Sequence, residues 1–117
     1  VSALGHTLGQ FAGRVNECAA LRGTLAGWQP DFHIEARDTG AAFRVRIEGG
    51  RVQGVEPAAS EAGDDALLLR ADAAVLEEVF TGTRSPLGAY TDGLLEVYGP
   101  PKDQIKLDVI ALVLWGA

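Results

Sequence analysis

Methionine is absent from the chain, and cysteine occurs once, at Cys18. A single thiol excludes a disulfide framework and a multi-cysteine metal site. It is compatible with a reducing interior, and the cytoplasm is the expected location. Without methionine, the initiator is expected to have been removed or the chain trimmed. Lysine and arginine total 10 against 16 aspartates and glutamates, a formal net charge of −6, and the cations form no stripe. Phosphate binding needs clustered cations, so nucleic acid and anionic membrane are disfavoured as partners. The longest apolar run, Val109 to Trp115, is far too short to span a bilayer. The N-terminus lacks the basic region and continuous apolar stretch of a signal peptide. Glycine-rich nucleotide loops, G-x-S-x-G, C-x-x-C and H-E-x-x-H are all missing. Nothing therefore supports covalent, metal or phosphoryl chemistry. The expectation is a protein that is not an enzyme and uses no cofactor.

What is present is an ordinary globular composition, 117 residues with 47% apolar. That is one domain over residues 1–117, large enough to bury a core without disulfides or metal. Leu4, Leu8, Phe11, Val15 and Ala19 make an apolar stripe at helical spacing, which predicts a helix over residues 3–27. Gly5, Gly9, Gly13 and Gly23 interrupt it, as weak ends or points of close approach. Phe32, Ile34 and Ala36, then Phe43, Val45 and Ile47, alternate with polar residues as strands do. Gly49-Gly50 reads as a two-residue hairpin turn. It sets Val52 beside Ile47, and a bulge near Gly54 is needed to turn Val55 inward. The outer face should carry weak cross-strand ion pairs.

After a polar loop over residues 57–65, Ala66 to Arg70 reads as a more central strand. Asp72 can cap a helix over residues 73–81, which Gly82 ends. Ser85-Pro86 opens a short second helix, and Gly93 ends it. Leu94 to Tyr98 is a last strand. Periodicity leaves residues 103–115 open between helix and strand; length and the preceding Pro100-Pro101 favour a helix. The order predicts an α+β fold with an antiparallel sheet.

Candidate chemistry is sparse. His33 lies on a polar strand face and would need a carboxylate neighbour in a cleft to act as a base. Glu77 and Glu78 point in different directions on a helix and form no dyad. Asp64-Asp65 is a weak cation signal. Cys18 reads as a small buried hydrophobe. Tyr90 and Asp92 could abstract a proton in a small pocket, but a packed tyrosine and a terminal aspartate is the simpler reading. The segment from Val109 to Trp115 needs cover on all sides. It can be a core helix, a lid over a cavity or an interface.

Asp65, the apolar strand Leu67 to Leu69, Gly82, Pro86, Ala89-Tyr90, Gly93 and Gly99 recur at the spacing of a known pattern. In these residues the chain resembles the sterol carrier protein-2-like family, and element order and length agree over nearly all of it. The resemblance implies a five-stranded, mostly antiparallel sheet with helices covering one face. It also implies an apolar tunnel between them, with the C-terminal helix near its mouth. Members bind fatty acyl chains, acyl-CoA, sterols or other lipids non-covalently, or serve as accessory domains of larger enzymes. The implied wall here is Val79 and Phe80, Leu87 and Tyr90, and Leu95 and Val97, with Ile105, Val109 and Leu112 from the tail. Tyr90 could bond a head group. The alternative is an association domain whose apolar tail docks a second copy or a catalytic partner. Trp115-Gly-Ala is not a peroxisomal address, so peroxisomal transport does not carry over. The richness in Ala, Gly and Arg suggests a bacterial source.

Overall fold

The computed structural model describes residues 3–58, 63 and 65–116. The polar loop and the Asp64-Asp65 pair fall largely outside this range. The elements are α1 (Ala3–Glu17), α2 (Ala19–Leu25), β1 (Phe32–Ala36), β2 (Ala42–Glu48), β3 (Arg51–Pro57), β4 (Leu67–Ala71), α3 (Ala73–Thr81), α4 (Pro86–Thr91), β5 (Leu95–Tyr98) and α5 (Pro101–Trp115).

The strands form one sheet in the order β3-β2-β1-β4-β5. Every neighbouring pair is antiparallel except β1 and β4, which run parallel. The hairpin turn has Gly49 and Gly50 at φ 64° and 77°, a conformation that side chains with a Cβ resist. Ile47 pairs with Val52, and Arg46 with Gly54. Gln53 is thus the extra residue of a bulge, which returns Val55 to the partly buried side of the strand. At the β3 edge, the Asn16 side chain replaces a strand partner. Its Nδ2 donates to Val52 O at 2.9 Å, and its Oδ1 accepts from Val52 N at 2.8 Å.

One face of the sheet carries Phe32, Ile34, Val45, Leu67 and Leu69, all buried. α1 covers it with Leu4, Leu8, Phe11 and Val15. The single helix expected over residues 3–27 is broken at Cys18, whose backbone is extended at φ −87° and ψ 101°. Val15, Leu21 and Leu25 are all buried. Six residues of continuous helix would turn Leu21 by about 240° away from Val15. The break resets the phase so that both helices face the core, and Ala19 is left exposed. Added methyl groups on Gly9, Gly13 or Gly23 would meet nothing within 4 Å, so these glycines are not points of close approach.

α3 ends at Gly82 in the left-handed region, φ 81°. Its N-terminus differs from expectation. Asp72 holds the cap position, but its carboxylate takes Arg37 Nε at 3.0 Å. The free N–H of Ala73 goes instead to Asp38 Oδ1 at 2.9 Å. Arg37 competes for Asp72 with a charge-assisted bond, and the β1–β2 turn supplies the substitute. In α4, Ser85 Oγ accepts from Gly88 N at 3.3 Å and Pro86 takes the first turn. Residues 101–115 are helical, with Pro100 at the cap position and Pro101 in the first turn.

Candidate functional site

The charged face of the sheet and the helix-covered face offer different chemistry. On the charged face, Arg37 reaches Asp72 at 3.0 Å and Glu96 at 3.1 Å, and Arg70 reaches Glu35 and Glu96 at 3.4 Å. The Tyr98 hydroxyl donates to Glu96; together with Arg37 and Arg70 it holds that carboxyl below the usual carboxylate range. The same bond raises the Tyr98 phenol above its ordinary value. His33 does gain a carboxylate neighbour, Asp31 Oδ1 at 2.8 Å, but on this face and apart from the cavity on the other side of the sheet. These are mostly open, salt-screened pairs, and none of their residues lines the cavity between sheet and helices.

The helix-covered side holds a partly open cavity of about 240 Å³. Its walls come from six elements: Phe11 of α1, Leu69 of β4, Val79 and Phe80 of α3, and Pro86, Leu87 and Tyr90 of α4; then Leu95 and Val97 of β5, and Gln104, Leu107, Asp108, Ile110, Ala111 and Trp115 of α5. Val79, Phe80 and Leu95 are almost fully buried and form its inner end. Leu87, 71% exposed, and Tyr90, 55% exposed, stand at its rim. Phe11 packs edge-on to Phe80 with ring centroids 4.9 Å apart, and against Trp115 at 5.9 Å.

Trp115 lines the cavity and packs against Gly82. A Cβ on Gly82 would lie 2.5 Å from Trp115 Cδ1, so glycine is required by contact as well as by φ. The indole Nε1 is buried there and makes no hydrogen bond to any described residue. α5 is tied down along its other side. Asp103 Oδ1, almost buried, accepts from Trp28 Nε1 at 2.8 Å. Lys106 Nζ donates to Thr24 O at 2.6 Å, and Arg14 to Leu114 O at 3.3 Å.

The residues singled out from the sequence divide cleanly. Val79, Phe80, Leu87, Tyr90, Leu95 and Val97 all line the cavity. Ile105, Val109 and Leu112 do not; Ile105 and Leu112 point outward, 61% and 60% exposed. α5 turns residues 104, 107, 108, 111 and 115 to the cavity instead. The segment is apolar on every side, so its periodicity could not choose between faces. The Trp28–Asp103 bond, made 75 residues apart in sequence, fixes the rotation. Leu69 and Phe11 were also missed as lining residues, though their strand and helix phases both point inward. Asp92 is exposed and is not among the residues that line the cavity, whereas Tyr90 is. Among the described residues, no group of three His, Cys, Asp or Glu could hold a metal ion. No described helix is long and apolar enough to cross a membrane.

No protein-family model matches the sequence, and no curated protein does either. Solved structures do match. A sterol carrier protein 2 crystal structure aligns over 97% of this chain and 95% of its own, with 22% identity and a TM-score of 0.67. A conserved hypothetical protein from Thermus thermophilus aligns over 99% and 84%, with 24% identity and a TM-score of 0.68. A variant of the sec-alkyl sulfatase PisA1 aligns over 92% of this chain but only 15% of its own, at 13% identity and a TM-score of 0.67. The five-stranded, mostly antiparallel sheet with its helices on one face is the sterol carrier protein 2 fold.

Proposed function

We propose that the chain binds an apolar ligand, such as the acyl chain or ring system of a lipid, non-covalently in the cavity between sheet, α3, α4 and α5. The observation that carries this reading is the cavity itself, about 240 Å³ with walls drawn mainly from Phe, Leu, Val, Ile and Trp side chains. An apolar cavity of about 150 Å³ already binds benzene. Each methylene taken from water into such walls gains about 0.8 kcal/mol, so burying about six gains about 5 kcal/mol before ordering costs. Few polar groups converge, as suits recognition by shape. The fold likeness to sterol carrier protein 2 supports the same reading. Protein purified without detergent should release lipid on organic extraction, detected by mass spectrometry. After extraction it should bind the neutral dye Nile red saturably. The absence of both co-purified lipid and saturable dye binding would refute the proposal.

One observation favours a second reading. Ile105, Leu112 and Val113 leave α5 with an exposed apolar face, where a second copy or a catalytic partner could dock. In the sulfatase the same fold makes up only a small share of a longer chain. Light scattering across protein concentrations tests this. A dimer that Leu112→Glu converts to a folded monomer supports association. A wild type that stays monomeric refutes self-association.

A further inference from the structure

The cavity walls recognise an apolar body, while the rim holds information about the head. Asp108 is the one charged residue among those that line the cavity. It is exposed at the rim, and no described residue bonds or pairs with it. Gln104 stands one helical turn earlier on the same face of α5. Its Nε2 donates to Gly99 O at 2.8 Å, which leaves the amide oxygen and one N–H open. Across the cavity, Tyr90 contributes a phenolic hydroxyl from α4.

No lysine, arginine or histidine is among these lining residues. Lys106 bonds Thr24 O, Arg14 bonds Leu114 O and Arg84 pairs with Glu78 at 3.4 Å, while Lys102 is exposed in the first turn of α5, six residues before Asp108. A carboxylate or phosphate head would face Asp108 with no cation among the lining residues to offset it, while losing part of its own hydration. A head that donates hydrogen bonds meets a carboxylate and an amide oxygen, and its bond to Asp108 is charge-assisted.

We propose that the cavity selects amphiphiles whose head donates hydrogen bonds and carries no negative charge, an alcohol or an alkylammonium, through the acceptors Asp108 and Gln104. The assignment rests on the cavity being the ligand site. Its test uses delipidated protein and Nile red displacement by octane, octanol, octylamine and octanoate at neutral pH and low salt. Octylammonium should bind tightest, octanol next and octanoate weakest, with about tenfold between the extremes. In Asp108→Asn the ratio of octylammonium to octanoate affinity should fall to about twofold, and high salt should shrink it in the wild type. The substitution is on an exposed side chain, so the fold should tolerate it. If octane and Nile red bind but octanoate matches octylammonium, or the ratio survives in Asp108→Asn, the head-group assignment is overturned and the cavity reading stands. If neither octane nor Nile red binds, both fall.

Discussion

Helices α1 and α5 both run for 15 residues, yet they are placed by different rules. In α1, polar residues and glycines separate Leu4, Leu8, Phe11 and Val15, and all four are buried along one stripe. In α5, the second half is apolar on every side, and only Asp103, Ile110 and Ala111 are buried. One face meets α2, a second lines the cavity, and a third leaves Ile105 and Leu112 in solvent. Periodicity locates a buried face only when polar residues mark the others. Where they do not, isolated links from other elements set the rotation, here from Trp28, Thr24 and Arg14.

The largest effect should come from breaking the stripe. Leu8 is fully buried beneath α1. Leu8→Ala should cost about 2–5 kcal/mol in urea unfolding, by lost transfer energy and the cavity left behind. A loss under about 1 kcal/mol would mean that α1 is not the core helix its pattern announces. A smaller effect should come from freeing α5. Trp28→Phe removes the donor to Asp103 and leaves a nearly buried carboxylate without its partner. The expected loss is about 1–3 kcal/mol, with weaker Nile red binding as α5 loses its fixed rotation. Asp103→Asn keeps an acceptor for the indole and should lose less. Equal losses in the two variants would show that packing, not the hydrogen bond, holds the helix.

The same contrast explains what could be read from the chain and what could not. The strands, the Gly49-Gly50 turn, the bulge opposite Arg46 and the stops at Gly82 and Gly93 all follow from local chemistry. Backbone preference and alternation act over a few residues, so the sequence carries them openly. The break at Cys18 does not. It exists because Leu21 and Leu25 must rejoin a core already occupied by Val15, which is a tertiary demand. The exchange of caps between Asp72 and Asp38 is of the same kind, since Arg37 arrives from the turn that follows β1. On the cavity wall, α3 and β5 were legible because Glu77 and Glu78, and Glu96 and Tyr98, mark their polar sides, and α4 only through the family resemblance. α5 was not. Gln104 and Asp108 at its rim look, in sequence, like a solvated helix face.

The smallest expected effect bears most directly on the outward face of α5. Ile105 is 61% exposed, so it has little burial to lose. Ile105→Ser removes apolar surface already in water and should change stability within about 0.5 kcal/mol, despite the large change in polarity. The measurement is urea unfolding at two protein concentrations. A matching wild type and variant at both would establish that this side of the helix has no partner in the isolated chain. A loss above about 1.5 kcal/mol that grows with concentration would mean a second copy covers it, because only an associated state gains stability by mass action. The apolar surround of α5 would then be complete, with the third face buried between chains, and the two helices would differ in where they find cover and not in whether they have it.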